Sequence, residues 1–159
     1  MRRYSKIDKK WHKSLLPAIE TVPLKTRHSK TVFYHSDVGK KRAKAFCNMN
    51  SAFIIDILLD ETPMGRHLLQ RLGEIQKCSG FKAVEESWWT LSRRLAENAT
   101  GDVWAFGDRE IFDDVEHYRS KHQGSKHKFV DTVFEKIELP VLEANTFVSK
   151  IFYNGRLID

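Results

Sequence analysis

A chain of 159 residues, 41% hydrophobic and carrying 27 Lys and Arg against 21 Asp and Glu, is long enough for one domain with a sizeable core and too apolar to be intrinsically disordered. The net charge of +6 gathers in Arg2, Arg3, Lys6, Lys9, Lys10 and Lys13 and again in Arg119, Lys121, Lys126 and Lys128. Such a balance suits a phosphate-bearing small molecule or a polyanion, and equally a basic surface facing water.

Residues 1–30 read as basic and irregular, with Pro17 and Pro23 as breakers. Thr31–Tyr34 is a short β-like run, and Ala43–Leu59 is apolar and mostly compatible with helix. Thr62 followed by Pro63 has the form of an N-cap with proline at the first helical position. Leu68, Leu69, Leu72 and Ile75 give the next helix its buried face, and Gly80 stops it. Trp88, Leu91, Leu95 and Ala99 recur at helical spacing, which predicts a helix from about Val84 to Ala99 with Ser92 on the same face as Trp88. Gly101 ends that helix, Asp102–Phe106 comes next as a strand, and Gly107-Asp108 turns the chain. Residues 113–128 are polar and rich in His and Lys, as an exposed loop or short helix would be. Thr132–Leu139 and Phe147–Tyr153 supply the last strands and Asn154-Gly155 a final turn. The expected architecture is a single α/β domain over residues 1–159. A mainly helical lobe reaches to about residue 100, and a small, mostly parallel sheet of roughly four strands, flanked by helices, occupies about 101–159.

Cys47 and Cys78 form neither a CxxC pair nor a disulfide framework, so both read as reduced, buried thiols in a protein of a reducing compartment. The N-terminus lacks the apolar run of a signal peptide, and no stretch reaches bilayer-spanning length. The expectation is a soluble chain with no membrane partner that acts in a cytosol, reaching target cells, if secreted, by a route independent of a signal peptide.

Three segments hold the residues that chemistry would need. Leu59–Gly65 puts Asp60 and Glu61 just before a helix N-terminus, where acids either serve a site or complement the helix dipole. Trp88–Arg94 puts a tryptophan on an amphipathic helix, where core packing is its ordinary use. Phe134–Leu139, read as a strand, puts Phe134, Lys136 and Glu138 on one face and Glu135 and Ile137 on the other, leaving Glu138 in a cleft or at an edge. His117, His122 and His127 recur every five residues, which is no recognised zinc spacing, so no metal is expected.

In order and spacing these segments resemble the ADP-ribosyl cyclase/NAD glycohydrolase family. The family's Leu-Glu-Asp-Thr-x-x-Gly motif is matched by Leu-Asp-Glu-Thr-Pro-Met-Gly at 59–65, its Trp-x-x-x-Ser-Arg-Arg run by WWTLSRRLAE at 88–97, and its Phe-x-x-x-Glu by Phe134 to Glu138. The similarity covers residues 84–155 apart from an insertion at 113–130, and 58–72. It implies an ADP-ribosyl cyclase-like fold. It also implies that Glu138 is the catalytic carboxylate that holds the ribose hydroxyls and stabilises a cationic intermediate, that Trp88 stacks on nicotinamide, and that Asp60, with Glu61 beside it, contacts the nicotinamide amide. Ser92 would lie near the ribose and phosphates, Phe134 would bind phosphate through its backbone, and Tyr34 would replace a second active-site tryptophan. Here Asp60 stands for the family's glutamate, Leu69 for a further acid, and the disulfides of animal members are missing. These departures keep bond cleavage and disfavour cyclisation.

The residue types suit the reaction. In NAD or NADP, here substrate rather than cofactor, nicotinamide is already a cationic leaving group, so no acid is needed to expel it. A preorganised carboxylate can stabilise the charge left on the ribose, and aromatic walls can hold the pyridinium by cation–π attraction. The expected activity is NAD(P) glycohydrolysis to nicotinamide and ADP-ribose, with cyclic ADP-ribose formation as the alternative product. A signal-less NAD hydrolase also matches a bacterial toxin of interbacterial competition restrained by a cognate immunity protein. The reading from another class is a basic nucleic-acid-binding or nuclease domain, which the resemblance disfavours.

Overall fold

The computed structural model describes residues 6–107 and 137–158. It is a mixed α/β structure in which six helices surround an open four-stranded sheet, counting the described residues. Helix α1, Lys6–Thr21, forms where an irregular segment was expected. Pro17 lies inside it, but Trp11, Leu15, Ala18 and Ile19 pack on the core at helical spacing. That burial outweighs the one hydrogen bond a proline removes. The Thr21 hydroxyl donates to Pro17 O at 2.7 Å and tightens the last turn.

Strand β1, Thr31–Tyr34, leads into α2, Ser36–Asn50, and α3, Ile55–Asp60. The apolar stretch 43–59 is therefore two helices. Ser51, in the left-handed conformation (φ 51°), ends α2, and the chain then runs extended so that Phe53 bridges Thr31 of β1. Helix α4, Pro63–Ser79, begins and ends as its punctuation predicts. The Thr62 hydroxyl accepts from Gly65 N at 3.0 Å, Pro63 stands in the first turn, and Gly80 (φ 84°) closes it. A short turn of helix at Phe81–Ala83 hands over to α5, Glu85–Asn98, and then to β2, Gly101–Phe106. Ile137 and Glu138 wind into α6, Leu139–Ala144, instead of continuing a strand. Pro140, near the helix start, lacks the N–H that a strand would use but suits a first helical turn. Strand β3, Val148–Tyr153, turns through Asn154 and Gly155, both at positive φ, into β4, Arg156–Leu157.

The sheet order is β1-β2-β3-β4. β1 and β3 flank β2 in parallel, with Thr31 opposite Val103 and Ile151 opposite Val103, and β4 closes antiparallel on β3. Its first strand thus comes from the part of the chain expected to be mainly helical. Alternation along the strands gives each face its own core. Phe33, Val103, Ala105, Ile151 and Tyr153 face the large core built with α1, α4 and α5. Val32 faces a smaller one with Ala43, Cys47 and Ile54, where Phe46 tilts against Trp104 at 5.0 Å between ring centroids. Cys47 is buried as expected and its thiol is pushed up to about 11 by desolvation, whereas Cys78 is exposed, contrary to expectation. No described helix is long and apolar enough to cross a membrane.

The expected strand over 132–136, the exposed segment 113–128, Asp108 of the Gly107-Asp108 turn, and the residues Phe134, His117, His122 and His127 lie outside the described residues.

The junction between α3 and α4 is tightly set. A Cβ on Gly65 would meet Leu59 O at 1.9 Å, so the start of α4 is pressed onto the α3 backbone. Replacing Thr62 by Ala should cost about 0.5–2 kcal/mol through loss of the cap. Gly65→Ala should cost more, because backbone must move. Thermal unfolding of the two variants checks this; a Gly65→Ala protein as stable as the wild type would contradict the tight junction.

Candidate functional site

A cavity of about 340 Å³ lies beside the C-terminal end of β1, enclosed by α2, α3 and α5 and reached by Glu138. Crevices at strand carboxyl ends are the usual place for ligands in open α/β sheets. Helix α5 contributes Trp88, Ser92 and Leu95, which repeat every three or four residues and so face one way. β1 contributes Val32, Phe33 and Tyr34. From α2 come Ser36, Asp37 and Lys40, and from α3 Ile55 and Asp56. Gln76 and Phe81 stand near the end of α4, with Phe81 48% exposed.

Glu138 is only 4% exposed and its Oε2 has no hydrogen-bonding partner among the described residues. Helix α6, directly after it in the chain, fixes its place. Leu139 and Leu142 of α6 are buried in the large core. The Asn145 side chain donates to Ala96 O at 3.0 Å and Ala99 O at 2.9 Å, capping the end of α5. Helix α6 is thereby held against the helix that carries Trp88 and Ser92. Burial pushes the Glu138 carboxyl up to about 8, while a hydrogen bond with Ser92 pulls it partly back down.

The opposite wall has the reverse character. Asp56 accepts the Tyr34 hydroxyl at 2.7 Å and pairs with Lys40 Nζ at 3.0 Å, and Lys40 also lies 5.6 Å from the Tyr34 ring centroid. Burial, and then the neighbouring Asp56, raise the Tyr34 hydroxyl above its ordinary value, so it remains a donor. Lys40 is aimed by a close approach. A Cβ on Gly39 would meet Phe106 O at 2.6 Å, so the first turn of α2 is seated on the end of β2. Arg42 donates to Gly107 O at 2.7 Å from the same helix.

Of the residues the sequence nominates, Glu138, Trp88, Ser92 and Tyr34 line this one cavity. Asp60 and Glu61 do not. Both are exposed at the end of α3, one turn beyond Asp56, and the acid that α3 presents to the cavity is Asp56. The segment Leu59–Gly65 that drew attention to Asp60 serves the α3–α4 junction, with Leu59 buried, Thr62 capping and Gly65 in close contact. Phe134 lies outside the described residues. Arg93 is exposed and off the cavity, and Arg94 caps the end of α1 through Ile19 O and Val22 O. Sequence reasoning missed Asp56, Lys40 and Phe81. An acid inside the apolar run Ile54–Leu59 was the signal for the first, because an amphipathic helix seldom carries an acid among buried residues without a use for it. No comparable signal marks Phe81.

No protein-family model, curated protein or solved structure matches the chain.

The buried carboxyl makes stability depend on pH. Between its ordinary value of 4.5 and about 8 the folded chain keeps a proton that the unfolded chain has released. This group's contribution is therefore full below about pH 4.5, declines as pH rises, and is lost above about pH 8. Glu138→Gln, which cannot ionise, should remove that decline and melt higher than the wild type above pH 8. Melting curves from pH 5 to 9 test this, and a wild type and variant that fall in parallel would contradict it.

Proposed function

We propose that the cavity binds the nicotinamide and ribose of NAD or NADP and that Glu138 promotes hydrolysis of the bond between them, giving nicotinamide and ADP-ribose. The observation that carries this reading is a carboxyl buried beside Trp88, Tyr34 and Ser92, one of its oxygens without a partner among the described residues. A carboxylate fixed in a water-poor pocket is costly in the empty site and valuable when positive charge appears on the ribose. The pyridinium brings that charge with it, lowers the cost of ionising Glu138, and departs without a proton. Trp88 supplies a face for the cationic ring. The fold assignment to an ADP-ribosyl cyclase-like structure belongs to the same proposal and rests on the order of the sequence motifs. Aromatic walls that fold the adenine back over the ribose are what cyclisation requires. With Tyr34 in place of a second tryptophan and tied to Asp56, water is the expected acceptor.

Glu138→Gln should lower nicotinamide release by about 10²–10³-fold or more. In the wild type kcat/KM for NAD should rise with pH and level off above about 8, since that profile reports the free enzyme's ionisation. A variant that consumes NAD at the wild-type rate sinks the reading, and a dominant cyclic ADP-ribose peak sinks the assigned product. Production of both forms inside cells tests the further proposal of a cytosolic toxin neutralised by a cognate immunity protein: the wild type should deplete NAD and arrest growth, and equal arrest by the variant would exclude NAD loss as the cause.

The two walls can be probed separately. Loss of a cation–π partner is worth about 0.5–2 kcal/mol, so Trp88→Ala should raise KM for NAD by about 2–30-fold. Asp56→Asn should also raise KM, whereas Asp60→Asn, altered outside the cavity, should leave it within about twofold of the wild type. Steady-state kinetics of the three variants decide this, and a larger effect at Asp60 than at Asp56 would overturn the placement.

A further inference from the structure

We propose that Glu138 also acts as a general acid, so that the same cavity hydrolyses N-ribosides whose leaving base is uncharged; the inference rests on the ribosyl-binding reading above. Its basis is how charge is distributed around the cavity. Among the described lining residues the cation is Lys40, and it is committed to Asp56 at 3.0 Å. The other titratable groups among the described lining residues are Tyr34 from β1, Asp37 from α2 and Asp56 from α3, none of which can offset a negative charge. Ser92 of α5 offers one hydrogen bond. A carboxyl 4% exposed, with no counter-ion among the described residues, is held in its neutral form when no ligand is bound. Neutral, it carries an O–H, and its buried Oε2 has no partner among the described residues. A substrate nitrogen entering the cavity would be that acceptor.

Asp56, ion-paired with Lys40, supplies the charged member of the pair. A neutral carboxyl in the same cavity as an ion-paired one is the division of labour that glycoside cleavage with a poor leaving group needs. NAD needs no such acid, so the feature is unused by the reaction proposed above.

The step balances. The bond from C1′ to the base nitrogen breaks and its electron pair leaves with the base. The Glu138 proton moves to a base nitrogen, which makes the departing heterocycle neutral. The carboxylate so formed faces the ribosyl cation. Water then adds to C1′ and its released proton returns to Glu138. The sum is nucleoside plus water giving ribose plus free base.

The test uses the purified protein with NAD and, separately, inosine from pH 5 to 9, with nicotinamide and hypoxanthine measured by chromatography. Inosine hydrolysis should proceed below pH 8 and fall as pH rises through the Glu138 ionisation near 8, opposite to the trend for NAD. Glu138→Gln should lower it by about 10²-fold or more and also serves as the control for contaminating hydrolases. Cleavage of NAD with no hypoxanthine at any pH overturns the inference and leaves the NAD reading standing. Hypoxanthine release with NAD intact does the reverse. Inosine hydrolysis that increases with pH, or survives in Glu138→Gln, also overturns the general-acid role, and inertness toward both substrates removes both proposals.

Discussion

The site depends on one carboxyl group, that of Glu138, being kept out of water with no cation beside it among the described residues. Such an arrangement opposes folding whenever the group is ionised, because the desolvation of a carboxylate is only partly offset by one hydroxyl, here that of Ser92. It persists because neighbouring parts of the chain overdetermine the position. Leu139 and Leu142, both 1% exposed, anchor the adjoining helix, and each fully buried leucine contributes roughly 1.5–3 kcal/mol. Asn145 meanwhile satisfies the carbonyls at the end of α5, where an uncapped helix terminus would itself be costly. The apolar packing around α6 therefore sustains the cost concentrated in a single side chain.

The cavity also divides its charges. On one wall Asp56, Lys40 and Tyr34 form a closed set in which the acid has both a cation and a hydroxyl donor. On the other, Glu138 has Ser92 as its hydrogen-bonding partner among the described residues. Two carboxyl groups of the same cavity thus have different surroundings. This separation comes from backbone placement, since α2 is brought close enough for Lys40 to reach Asp56 only because Gly39 allows its first turn to rest on Phe106 O.

How far this was legible in the sequence differs by element. The caps at Thr62 and Gly80, the α5 face bearing Trp88 and Ser92, and the strands at 101–106 and 148–153 carry local signals strong enough to read directly, because capping chemistry and periodicity are properties of neighbouring residues. Helix α1 was hidden by Pro17, whose local penalty is visible in sequence while the long-range burial that outweighs it is not. The segment before Glu138 reads as alternating, yet Pro140 marks a helix start, and a short apolar run cannot be assigned by periodicity alone. Asp60 lies away from the cavity for a related reason. The pattern from Leu59 to Gly65 is explained by a helix junction, so its regularity said little about which acid reaches a ligand, and one turn of α3 separates the exposed Asp60 from Asp56 in the cavity.

The proton on Glu138 and the charge on a ligand cannot be treated separately. Under the proposed reaction a pyridinium entering beside Trp88 stabilises the ionised carboxyl, and by reciprocity an ionised carboxyl strengthens binding of the pyridinium. Binding and proton release are then one linked event, so the neutral empty site becomes a charged occupied one only when its cationic substrate arrives. A ligand without charge would leave the proton in place, and with it a means of assisting a reluctant leaving group. The same desolvation therefore selects the state of Glu138 that each class of riboside would require, which no counter-ion fixed permanently beside it could do.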